Sequence, residues 1–72
     1  MNMKHLLFSI DVYDLPEGVS DLAELEDLPK EAGFPGKIED TCLIKVREDH
    51  GETIEKYLNG KNIKFTVEEY FT

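Results

Sequence analysis

Cys42 is the strongest nucleophile in the chain, and its neighbours decide whether it can act as one. A thiol attacks as the thiolate, which needs a nearby positive group. Cys42 instead alternates with Ile44 and Val46 along an apolar stretch, so it is expected to be a small buried hydrophobe in mid-strand. The two serines, Ser9 and Ser20, fall in a strand and at a helix cap, and neither lies in a G-x-S-x-G elbow. A metal site needs several ligands converging at fixed spacing. His5 opens a strand; His50 and Glu52 are two apart on a helix and diverge by about 200°. Gly33 and Gly36 precede a strand and not a helix, which is unlike a phosphate-binding loop. Glu26-Asp27, Glu39-Asp40 and Glu68-Glu69 are adjacent carboxylates, which point apart on a strand or helix and form no acid/base dyad by themselves. No catalytic residue, cofactor or metal ligand is expected.

Charge is where the sequence departs from an ordinary soluble surface. The 72 residues carry 16 acids against 8 Lys and Arg, for a formal charge of −8. Such a balance disfavours direct binding of nucleic acid, which needs Lys and Arg against phosphate. Between Asp11 and Glu31 stand eight acids (Asp11, Asp14, Glu17, Asp21, Glu24, Glu26, Asp27 and Glu31) and one base, Lys30, for −7. The remainder, with eight acids and seven bases, is nearly neutral.

The elements that must carry these residues follow from periodicity. Leu6, Phe8, Ile10 and Val12 alternate within 4–13, a strand with one apolar face, which Asp14-Leu15-Pro16-Glu17-Gly18 ends as a turn. Asp21 with Glu24 has capping-box spacing, and Leu22, Leu25 and Leu28 form one stripe, so a short helix is expected, stopped by Pro29. Residues 30–37 read as a loop with Phe34 as its core anchor. A second strand lies within 38–47, with Cys42, Ile44 and Val46 inward. A second helix follows to about Asn59, burying Ile54, Tyr57 and Leu58, with Gly60 as the residue that reverses the chain. The third strand is 62–71, with Ile63, Phe65 and Val67 inward; Glu69 breaks that row before Phe71. The expected fold is α/β (α+β): one compact acidic domain over 1–72, a β-α-β-α-β two-layer sandwich with two short helices on one face of a three-stranded sheet. A right-handed crossover would set the second and third strands parallel. In outline it resembles a ferredoxin-like fold with one strand missing.

With the leucines inward, the acids of the first helix must face water, three and four residues apart and about 5–6 Å between Cβ atoms. Asp14, Glu17, Asp21, Glu24, Glu26, Asp27 and Glu31 are therefore the candidate partner-binding residues, for a basic surface of another protein. In profile the chain is similar to phage-encoded inhibitors of host DNA-binding proteins, which are short, acidic and act as nucleic-acid mimics. The resemblance implies a non-enzymatic inhibitor working in the cytoplasm, the host's if phage-encoded. The alternative is a homodimeric regulatory or assembly module, since Leu7, Tyr13, Leu43 and Tyr70 fall on the sheet face away from the inner rows, and an exposed apolar patch marks an interface. One Cys forms no internal disulfide, no apolar run approaches a membrane span, and the start lacks a signal-peptide core, so a soluble cytosolic chain is expected.

Overall fold

Strict alternation from Leu6 to Ile10 makes the first strand, β1 (Lys4–Asp11), and its position in the sheet organises the rest of the chain. The computed structural model describes residues 3–71. β1 is flanked on both sides by antiparallel neighbours, β3 (Thr41–Arg47) and β4 (Thr66–Phe71), while β2 (Gly36–Ile38) pairs antiparallel with β3. The sheet order is β2-β3-β1-β4. One helix, α1 (Gly51–Gly60), lies between β3 and β4 in the chain and is preceded by a 3₁₀ turn, Glu48–His50. Phe8 and Ile10 of β1, Cys42, Ile44 and Val46 of β3, and Ile54 and Leu58 of α1 share one core, joined by Leu15, Leu22, Ala32 and Ile63.

The α+β class is as expected, and the details are corrected. The sheet has four strands, not three, and among the described residues there is one α-helix, not two. The ferredoxin-like outline short of a strand is therefore corrected: the sheet is complete at four, and the first helix is wanting. β3 and β4 do run parallel to each other, but β1 lies between them, so their crossover is a split βαβ unit.

The first helix is replaced by isolated 3₁₀ turns at Val12–Asp14, Leu22–Glu24 and Lys30–Ala32. The leucine spacing explains this. Positions three apart fall about 60° short of a full turn in an α-helix but eclipse in a 3₁₀ turn. Leu22 and Leu25 have no apolar partner four residues away, and that of Leu28, Ala32, lies beyond Pro29, so successive tight turns present all three leucines inward. Leu22 is fully buried and the other two pack half-buried against the core. The expected Asp21–Glu24 capping box does not form reciprocally: Asp21 accepts from the Ala23 N–H, and Glu24 accepts from both the N–H and the hydroxyl of Ser20, so the two carboxylates close a turn. Leu25 then returns to extended backbone.

The expected second strand over 38–47 is broken at Glu39-Asp40, and its start, Ile38, joins Gly36 and Lys37 of the expected loop to form β2. Ile38 pairs with Thr41, leaving Glu39 and Asp40 as a two-residue turn. Glu39 adopts φ +53°, a left-handed conformation in which a Cβ is unfavourable. Glu39→Gly is expected to stabilise the fold by about 1 kcal/mol, raising the melting midpoint by roughly 4–8 °C in scanning calorimetry.

At the far end of α1 the left-handed residue is Asn62 (φ +59°), not Gly60, which remains helical. Asn62 N–H donates to the Asn59 carbonyl and Ile63 N–H to the Leu58 carbonyl, the two bonds of a Schellman motif. Leu58 and Ile63, the residues it brings together, are both buried. This turn aims the chain back toward β4. Phe34, expected as a core anchor, is instead fully exposed (102%), projecting after Gly33 at φ +61°. Ala32 and Leu15 take up the burial expected of it.

Candidate functional site

Segment 12–35 connects β1 to β2 as a chain of turns laid on the core through Leu15, Leu22 and Ala32. The acids alternate with these anchors, so burying the apolar residues turns the carboxylates out. Asp14, Glu17, Glu26 and Glu31 are exposed and have no hydrogen-bond or ion-pair partner among the described residues. The others are engaged. Asp11 accepts from the Tyr13 N–H, Asp21 and Glu24 cap the turn described above, and Asp27 is tied to α1.

The Asp27 contact is the firmest long-range one on this segment. The Lys61 ammonium lies 2.6 Å from one carboxylate oxygen, and the Tyr57 hydroxyl donates to the other at 2.7 Å. Lys37 reaches in from β2 and donates to the Ser20 carbonyl at 2.9 Å. Two bases from outside 11–31 thus fold onto it, and the local balance of −7 becomes −7 + 2 = −5. Sequence spacing held no signal for this, because Lys61 is remote in the chain and is carried there by α1.

Lys61 first, and the Tyr57 hydroxyl second, hold the Asp27 carboxyl below its ordinary 3.8. Burial first, then the bond to Asp27, raises the Tyr57 phenol. A depressed carboxylate contributes stability above its unfolded value, and the contribution is lost as pH falls through the folded value. Asp27→Asn is therefore expected to lower the urea midpoint at neutral pH and to converge with the parent as pH falls through the folded Asp27 value. Tyr57 acts with the opposite sign: its contribution is full below the ordinary phenol value of 10.0 and fades above it. A deficit of Asp27→Asn that is constant across the acid range would mean the contact is not ionic.

Next to this segment a cleft of about 1020 Å³ opens at the end of the sheet. Polar groups of Ser9, Asp11, Asp14, Thr41, Asn59, Asn62, Lys64 and Thr66 line it together with the apolar Ile63 and Phe65. Neither His nor Cys lines it, and Asp11 already accepts from Tyr13. Among the described residues no three of His, Cys, Asp and Glu converge to hold a metal. Cys42 is fully buried in β3, as its alternation implied.

The outer face of the sheet carries the second candidate set. Register puts Leu7 opposite Lys45 and Glu68, Leu43 opposite Ser9, and Tyr70 opposite His5, all on the side away from the core. Tyr70 stacks on His5 at 5.6 Å, and Lys45 lies 5.2 Å over its ring. Tyr13 does not join this row. It follows β1 in a 3₁₀ turn and is 81% exposed. Ile38, which sequence reasoning left out, stands on this face instead, opposite Thr41.

No helix among the described residues is long and apolar enough to cross a membrane. Comparison with protein-family models, with curated proteins and with solved structures finds no match to this chain.

Proposed function

We propose that this chain is a non-enzymatic acidic binding protein that docks segment 14–31 on a basic, nucleic-acid-binding surface of another protein and excludes nucleic acid from it. The observation that carries this is the set of exposed carboxylates at Asp14, Glu17, Glu26 and Glu31, without internal partners among the described residues, on a segment held by buried leucines. Clustered like charges repel and cost stability, and an opposing basic surface relieves that cost. The turns replace the helix on which a regular phosphate-like row would stand. The carboxylates therefore stand in for phosphate by charge, and not by helical spacing. Such a contact forms fast and weakens with salt, because the field that steers encounter is screened over about 8–10 Å. Its site of action is the cytoplasm, that of the host for a phage-encoded chain. The test is capture of a DNA-binding protein from lysate at low salt, with release by added DNA duplex; capture that DNA leaves untouched counts against the proposal.

A second reading, a homodimer, is favoured by Leu7, Leu43 and Tyr70 sharing the uncovered sheet face with exposed Ile38. Small cores are commonly completed by association. Light scattering at high micromolar concentration is expected to give twice the chain mass, reduced to one chain by Leu43→Lys; a monomer mass for the parent would sink this reading.

A further inference from the structure

β4 is the longer free edge of the sheet among the described residues, and charge alone guards it. A guarded edge is short, charged or covered. β2, at the other edge, meets that description with three residues. β4 has six, and its core-side row runs Val67, Glu69, Phe71: Val67 and Phe71, opposite Phe8 and Lys4, remain 41% and 63% exposed. Between them Glu69 shares Lys4 with Glu48, at 2.9 and 2.7 Å, so that this trio is net negative. Glu68 lies on the other side of the strand with no ion-pair partner among the described residues.

The charges decide which strand can pair here. In an antiparallel pairing of β4 with a second β4, every register that matches five or six of its residues sets an acid directly opposite an acid: Glu68 on Glu68, Glu68 on Glu69, or Glu69 on Glu69. Like charges directly opposite destabilise a ladder, and opposite charges stabilise it. A second β4 is thus a poor occupant, and a basic strand is a good one.

We propose that β4 is a docking edge for an extended basic segment of another protein, which adds to the sheet as a fifth strand. Lys or Arg at its centre oppose Glu68 and Glu69, and apolar side chains on one face cover Val67 and Phe71. Backbone hydrogen bonds supply the affinity and the alternating side chains supply the selectivity. This surface is separate from segment 14–31, and the proposal stands whether or not that segment docks.

The probe is a blocked peptide, Val-Thr-Lys-Arg-Val-Thr, titrated into the ¹⁵N-labelled protein. Saturable binding is expected, with amide shifts and slowed exchange concentrated on residues 66–71. N-methylation of the alternate peptide residues whose N–H groups face β4 is expected to weaken binding at least tenfold, and N-methylation of the other set to have little effect. Glu68→Lys is expected to weaken it about tenfold, since an attraction is replaced by a repulsion. Shifts centred on residues 14–31, equal tolerance of both N-methylated sets, or no saturation below millimolar peptide would each overturn the proposal.

Discussion

Leu22→Ala is expected to lower the melting midpoint by roughly 8–40 °C, the largest loss from any single truncation in segment 12–35. Leu22 is the one side chain with no exposed surface between Leu15 and Ala32. Truncating a buried leucine costs about 2–5 kcal/mol, partly as lost transfer energy and partly as the cavity left behind. A chain this small has on the order of 3–5 kcal/mol in total, so the loss removes most of the margin. Leu25→Ala, at a half-buried position, is expected to cost clearly less. The two variants also test whether the turns fold with the sheet. If segment 12–35 is part of one cooperative unit, Leu22→Ala shifts the whole transition. If the segment detaches by itself, exchange of the Ala23 and Glu24 amides rises while the β1 and β3 amides stay protected. An unchanged midpoint together with unchanged exchange would mean that Leu22 does not anchor the acidic segment.

The parts of the fold legible in the sequence were those set by local alternation. Phe8 and Ile10 on β1, and Cys42, Ile44 and Val46 on β3, are buried as their period of two requires. Ile54 and Leu58 are buried on α1 as their helical spacing requires. The failures share a cause, which is tertiary context overriding local propensity. Leu22, Leu25 and Leu28 were compatible with either an α-helix or successive 3₁₀ turns, and Pro29 left too few residues to make the helix the better choice. β2 went unseen because its turn uses Glu39 at positive φ, where Gly or Asn is the usual signal. Val67 was placed on the correct face, opposite Phe8, but nothing in its spacing says that the covering layer ends before it. Glu69 did mark that limit: an acid in an inward row announces that the row has left the core, and here it meets Lys4.

The same limit applies to the candidate site. Counting charges located the acidic segment, but not which carboxylates are free. Glu24 and Asp27 belonged to the obvious set by sequence, yet Glu24 closes its own turn and Asp27 is held by Lys61 and Tyr57. Substituting either changes the fold's internal bonds as well as its surface, so a binding loss at those positions has two causes. Glu17, Glu26 and Glu31 carry no such double duty among the described residues and make the cleaner probe.

Changing Glu17, Glu26 and Glu31 together to Lys is therefore expected to abolish capture of a basic partner while leaving the fold intact. The triple replaces −3 by +3 on a segment whose folded balance is −5, so it turns the local field positive. Rim pairs are worth about 1 kcal/mol or less each, and desolvated pairs several, so the loss is up to about 3 kcal/mol if all three sit at the rim and larger if the carboxylates are buried in the contact. The melting midpoint is expected to hold or rise slightly, because relieving like-charge repulsion offsets any lost solvation. The control is the same reversal at Glu39, Glu52 and Glu55, which changes net charge equally and leaves β4 untouched. Glu52 is already paired with Lys56 at 3.1 Å, so that region is of mixed sign. If docking is specific to segment 14–31, only the first triple loses binding, and the lost affinity shrinks as salt is raised because screening removes the same interaction. Equal loss from both triples would show that net charge alone draws the partner. Full retention by the folded first triple would leave the exposed acids with a solubilising role, since carboxylates that take no part in a contact still keep a small domain dispersed.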